Sequence, residues 1–126
     1  MTRLASSFAA LLVGVSAVSA PAPAAEPVGD FTLRDSSGVE RSLSRLAEGK
    51  RAVVLAFVGT ECPLARLYAP RLADLARTYE GQGVAVVGID PNHQDDLTEI
   101  AAYVREHELP FPVLADGDAT VADALG

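Results

Sequence analysis

Apolar positions along the chain follow two periods, and the switches between them mark the elements. After residue 29 the segment DFTLRDSSGVERSLSRL sets Phe31 and Leu33 between polar neighbours, the period of a half-buried strand. Asp35-Ser36-Ser37-Gly38 is a turn signal, and Val39 to Leu43 returns as a second short strand. Together they predict a β-hairpin, followed by a helical turn over Ser44–Ala47. Ala52–Val58 is apolar at every position, as in a central strand covered by helices on both faces. From Pro63 the spacing changes to three and four. Leu64, Leu67 with Tyr68, Leu72, Leu75 with Ala76, and Tyr79 share one face of a predicted helix over 63–80. Pro63 suits the first turn of that helix, where its missing N–H costs nothing. Pro70 removes an interior hydrogen bond and predicts a kink. Gly81-Gln82-Gly83 ends the helix. Val84–Ile89 is a second continuous apolar strand, closed by Asp90-Pro91. Asp96 and Glu99 have the spacing of a capping box, and Leu97, Ile100, Ala101 and Val104 form the apolar face of a second helix. Leu109-Pro110 stops it. Phe111–Leu114 predicts a third strand, and Asp118 is the expected cap of a last helix over Ala119–Leu125.

The predicted order is a hairpin followed by βαβαβα. Strands alternating with helices imply an α/β fold with a mainly parallel sheet and right-handed crossovers. The chain has 126 residues, room for one domain at most. Hydrophobic content of 49% with 21% charged residues describes a foldable chain rather than a disordered one. A net charge of −7 without a basic run argues against nucleic acid as a partner. The acidity reads as solubility.

Residues 1–24 read as a secretory signal peptide. Arg3 supplies the positive start, Phe8–Val15 an apolar core too short to cross a membrane as a helix, and small residues with prolines follow. Cleavage is expected after Ala24, with Ala22 at −3, leaving residues 25–126 as the domain and no stable membrane span. The product is expected to be exported, periplasmic or secreted, into an oxidising compartment. Yet the sequence carries one cysteine, so no disulfide can form within the chain. Cys62 is either inert or reactive toward something outside the chain.

Cys62 falls where the carboxyl end of the first long strand meets a helix N-terminus. Open α/β sheets bind and react at that edge, and helix N–H groups favour a thiolate over a thiol. Glu61 opposes a second negative charge beside it. Arg66, one turn on, assists if it folds back, and otherwise is a solvated surface arginine. The bland alternative for Cys62 is a small buried hydrophobe, but its place between Glu61 and Pro63, beyond the apolar run, favours reactivity. His93 and His107 form no recognisable ligand spacing with Cys62. They read as a loop residue and a helix C-terminal residue, and Asp95 and Asp96 as helix caps. No Ser/His/Asp constellation and no phosphate-binding glycine motif occurs. Neither a metal nor a cofactor is expected.

The segments DFTLRDSSGVERSLSRL, VVLAFVGTECP, VAVVGIDP and LPFPVLADGDATVADALG run in the order seen in redoxins. The chain thus resembles the thioredoxin-like AhpC/TSA group and exported thiol–disulfide oxidoreductases over roughly residues 28–126. GTECPLARLYAP looks like a motif of exported redoxin-domain proteins, and thioredoxin-like proteins often carry a proline where Pro70 stands. The resemblance implies a thioredoxin-like fold with Cys62 as nucleophile and Thr60, Pro63 and Arg66 in support. It implies a thiol-dependent oxidoreductase acting on disulfides or peroxides, with an external thiol or redox partner protein completing turnover. Three departures qualify this. Ala65 occupies the second cysteine position of a CxxC motif. Gly59 stands where peroxiredoxins keep Thr or Ser, and Leu55 where they keep a proline. The alternative is a non-catalytic docking or structural module of a larger exported protein. The family's fold also continues beyond the equivalent of Gly126, with a strand preceded by a cis-proline that faces the active cysteine, then an antiparallel strand and a final helix. The chain is therefore expected to be incomplete at its C-terminus, with an uncovered sheet edge and apolar face, and marginally stable alone.

Overall fold

The computed structural model describes residues 27–126. The predicted signal peptide, residues 1–24, lies outside them. The elements follow in order: β1 (Thr32–Asp35), β2 (Glu40–Ser42), α1 (Leu43–Ala47), β3 (Ala52–Phe57), α2 (Pro63–Glu80), β4 (Val84–Asp90), α3 (Leu97–Glu106), β5 (Val113–Ala115) and α4 (Thr120–Leu125). The described residues form a five-stranded sheet in the order β2-β1-β5-β4-β3. β3, β4 and β5 are parallel, as the βαβαβ pattern requires, whereas the β1–β2 hairpin joins β5 antiparallel, so the sheet is mixed.

Strand alternation sorts the core into two layers. Val87 and Ile89 of β4, Leu114 of β5, and Val53 and Leu55 of β3 pack on one face with Phe31, Leu33 and Leu46. On the other face Val86 and Val113 meet Ala69, Ala73 and Ala76 of α2 and Ile100 and Tyr103 of α3. Gly88 lets β4 and β5 close on that side. A Cβ there would lie 2.8 Å from a Val113 methyl.

Three expectations require correction, two of them in helices. The core-facing stripe of α2 is not the series of large residues. Ala69, Ala73 and Ala76 are buried, while Leu64, Leu67, Tyr68, Leu75 and Tyr79 are exposed. Small side chains let the helix axis approach the sheet, and the large apolar residues lie on the neighbouring face. Asp118 does not cap α4. The buried Asp116 does, its carboxylate accepting from the Val121 N–H at 3.1 Å, the Ala122 N–H at 2.9 Å and the Thr120 hydroxyl at 3.1 Å.

β3 is an edge strand among the described residues, not a central one. Apolarity on both faces reports covered faces and says nothing about hydrogen-bonded neighbours on each side. The face toward α2 is only half covered, with Val54 46% exposed. Ala52, Val54, Leu72, Leu75, Tyr79, Val84 and Val86 line an apolar groove between β3 and α2. No helix among the described residues is long and apolar enough to cross a membrane.

Candidate functional site

Cys62 is the N-cap of α2, with extended backbone angles and an exposed side chain. The residues before it fold as a tight turn, the Cys62 N–H donating to the Gly59 carbonyl at 3.2 Å. Pro63 opens the helix, as its fixed φ and absent N–H allow. The chain leaves β3 through Val58, whose N–H donates to the Ile89 carbonyl at 2.9 Å. The pairing of β3 with β4 thereby continues into the turn.

The turn is held from both sides. The buried Thr60 donates its N–H to Asp95 Oδ2 at 3.0 Å. Its carbonyl accepts from Arg66 Nη1 at 3.1 Å, and Arg66 Nη2 pairs with Glu106 of α3 at 2.5 Å. Arg66 thus folds back onto the Thr60 carbonyl and Glu106 rather than onto the thiol. Tyr103 of α3 donates its hydroxyl to the Ala65 carbonyl in the first turn of α2 at 3.1 Å. Burial raises the Tyr103 pKa.

Asp95 and Asp96 divide what the sequence treats as one role. Asp96 caps α3, accepting from the Glu99 N–H at 2.9 Å while Glu99 accepts from the Asp96 N–H at 2.9 Å. Asp95 is no cap. It is buried against the Cys62 turn. Burial would raise its pKa, but hydrogen bonds from the Thr60 backbone and side chain outweigh that and lower it. Asn92 donates its side-chain amide to Asp95 Oδ2 at 3.2 Å and to Asp90 Oδ1 at 2.9 Å. Asp90, at the end of β4, is 1% exposed, and its Oδ2 is buried without a hydrogen-bond partner. Burial, reinforced by the neighbouring Asp95, pushes its pKa up to about 6 against the opposing Asn92 bonds.

Asp90 and Asn92 escape a sequence reading centred on Cys62. The signal that could have found them is an acidic residue directly ending an apolar strand, at the sheet edge where α/β folds place chemistry. His93 is exposed, and His107 packs its ring edge-on against Tyr103 at 4.6 Å. Among the described residues, no group of three or more His, Cys, Asp and Glu side chains is arranged to hold a metal ion.

The thiol opens onto a shallow apolar groove. Phe57, Leu64, Ala65, Tyr68 and Leu72 line it, with Asn92 at the polar end beside Cys62. Leu72 also lines the groove between β3 and α2, so an apolar surface leads along the bare strand to the cysteine. An exposed thiol at a helix N-terminus, beside apolar surface, is open to reagents from outside the chain.

Similar proteins carry the same arrangement of elements. Thiol-disulfide oxidoreductase ResA of Halalkalibacterium halodurans is 35% identical over 105 residues, 83% of this chain and 57% of that protein. The chain spans about half the length of the curated relatives it matches. The crystal structure of peroxidoxin BcpB from Mycobacterium tuberculosis superposes with a TM-score of 0.72 at 30% identity, covering 80% of this chain and 64% of that one. A secreted M. tuberculosis disulfide oxidoreductase homologous to E. coli DsbE superposes with a TM-score of 0.64 at 30% identity, over 75% of this chain and 66% of that one. The model of the AhpC/TSA family matches residues 24–126, which takes in every described strand and helix. The fold is thus shared with these solved structures, and this chain belongs to the AhpC/TSA family.

Proposed function

We propose that the chain acts as a thiol–disulfide oxidoreductase in which Cys62 is the nucleophile. The observation that carries this reading is an exposed thiol at the N-cap of α2, opening onto an apolar groove. The Cys62 thiolate attacks one sulfur of a disulfide. A new S–S bond forms, the old one breaks, and the other sulfur leaves as a thiolate. Ala65 stands where a resolving cysteine would be, and the sequence has no other cysteine. An external thiol or redox partner protein therefore completes turnover by attacking the mixed disulfide. Disulfide substrates suit the site better than peroxides. The groove is open and apolar, and the turn presents Gly59 rather than a hydroxyl side chain three residues before the cysteine. Export is the matching compartment, given the predicted signal peptide and the secreted disulfide oxidoreductase among the similar structures.

The test is reaction of the purified protein with a chromogenic aryl disulfide, with mass spectrometry of the product. The expected result is one mixed disulfide at Cys62, released by an added thiol and absent in Cys62→Ser. A thiol that does not react would overturn the reading. It would favour a docking module, the role that Ala65 in the second position supports.

A further inference from the structure

The turn bearing Cys62 rests on the loop after β4 as well as on its own helix. Gly59 is the contact point. A Cβ at that position would collide with Nδ2 of Asn92, and the same Cβ would lie 3.6 Å from the Cys62 Cβ. The Asn92 side chain therefore fills the space under the turn that any residue but glycine would take. Two carboxylate acceptors, Asp90 Oδ1 and Asp95 Oδ2, dictate which way the amide points, because both need its N–H groups. The backbone N–H of Asn92 also donates to Asp90 Oδ1 at 3.0 Å. Asp95 Oδ2 in turn holds the Thr60 N–H, so one carboxylate oxygen grips both the turn and the amide beneath it. Keeping an asparagine in place does not require two buried carboxyls, one with an unpartnered oxygen. Such an arrangement carries an energetic cost and sits beside the one thiol of the chain.

We propose that Asn92 is a positioning residue for Cys62: its side-chain amide, held between Asp90 and Asp95, is the strut on which the Gly59–Cys62 turn is seated. This rests on the reading of Cys62 as a nucleophile. The groups around Asp90 are Asp95 and Asn92 of its own loop, Tyr103 of α3, and the Asp116 N–H after β5, which donates to the Asp90 carbonyl. Of these, Asp95 is the charge that acts on Asp90 directly, and Asn92 links the pair to the turn.

The experiment measures alkylation of Cys62 by iodoacetamide between about pH 5 and about pH 8, the range that brackets the Asp90 titration, for wild type, Asn92→Ala, Gly59→Ala and the double variant. Folding of each is checked by circular dichroism. Asn92→Ala is expected to slow the reaction about tenfold, as loss of thiol orientation does. Gly59→Ala is expected to do the same by displacing the amide, and the double variant to be no slower than either single one. A further variant, Asn92→Asp, keeps the side-chain shape but has no N–H to donate to Asp90 and Asp95, and is expected to slow the reaction as much as Asn92→Ala. A role in packing alone would leave Asn92→Asp near the wild-type rate. Single effects that multiply, or an Asn92→Ala rate within about twofold of wild type, would overturn the proposal. If the variants do not fold, the wild-type protein decides: fast hydrogen exchange of the Asn92 side-chain amide in NMR, as for a solvated amide, overturns it. A parallel reaction with the aryl disulfide separates the two readings. Failure there with the iodoacetamide coupling intact removes the oxidoreductase and leaves the strut, and the converse removes the strut alone.

Discussion

Asp90→Asn should make the protein more stable at neutral pH, although it alters a buried polar cluster. Asp90 is 1% exposed, has one oxygen without a partner and lies beside Asp95, and its pKa rises from 3.8 to about 6. The folded chain thus binds this proton more tightly than the unfolded chain does. The resulting stability is fully present below pH 3.8, falls as the pH rises through the window to about 6, and is gone above it. About two units at about 1.4 kcal/mol each give a decline of about 3 kcal/mol across that window. Asparagine has no proton to lose, and its Oδ1 can still accept from Asn92. The advantage of the variant over wild type should therefore grow by about 3 kcal/mol between about pH 4 and about pH 7. Urea titrations followed by far-UV circular dichroism across that range read this difference directly. Asp35→Asn is the control of opposite sign. Hydrogen bonds from Ser37, Arg41 and Val39 outweigh burial and lower the Asp35 pKa to about 2. Its contribution is present above pH 3.8 and lost as the pH falls toward 2. Parallel stability–pH curves for wild type and Asp90→Asn would refute the raised pKa of the acid at the end of β4.

Three further outcomes follow from the packing. Gly88→Ala should cost about 1–3 kcal/mol in urea unfolding, since the added methyl meets Val113 at 2.8 Å between paired strands. Asp116→Ala should cost about 2 kcal/mol and speed amide hydrogen exchange in α4, whose first N–H groups lose their acceptor. Val54→Lys should lower binding of an apolar fluorescent dye and slow aggregation, while changing stability by less than about 0.5 kcal/mol, because Val54 is exposed on the bare side of β3.

The strand–turn–helix around Cys62 was legible because it is local. An apolar run, a glycine, a cysteine and a helix-opening proline are consecutive, and the capping box at Asp96 lies within four residues. The packing face of α2 was not. Leu64, Tyr68, Leu75 and Tyr79 carry most of the hydrophobic signal, whereas Ala69 and Ala73 carry little yet sit closest to the sheet. Pattern reading weighs transfer energy, but close approach selects small volume. Asp95 and Asp118 look like caps in the sequence because their neighbours resemble those of caps. Which carboxylate turns inward depends on the loop path, so Asp95 turned to Thr60 and Asp116 took the place expected of Asp118. The Gly59–Asn92 contact joins segments on successive strands and leaves no local pattern. The edge position of β3 is likewise a matter of sheet order, which hydrophobic period does not encode.

The edge position of β3 has a mechanical consequence. The strand that carries the thiol is fastened to β4 along one flank, and among the described residues no strand is fastened to the other. It is supported like a cantilever, with its tip, the Gly59–Cys62 turn, pinned by Asp95 and Arg66. When a mixed disulfide tethers a second chain to Cys62, any pull on that tether passes into those two pins and the β4 ladder. The load falls on the same few bonds that aim the sulfur.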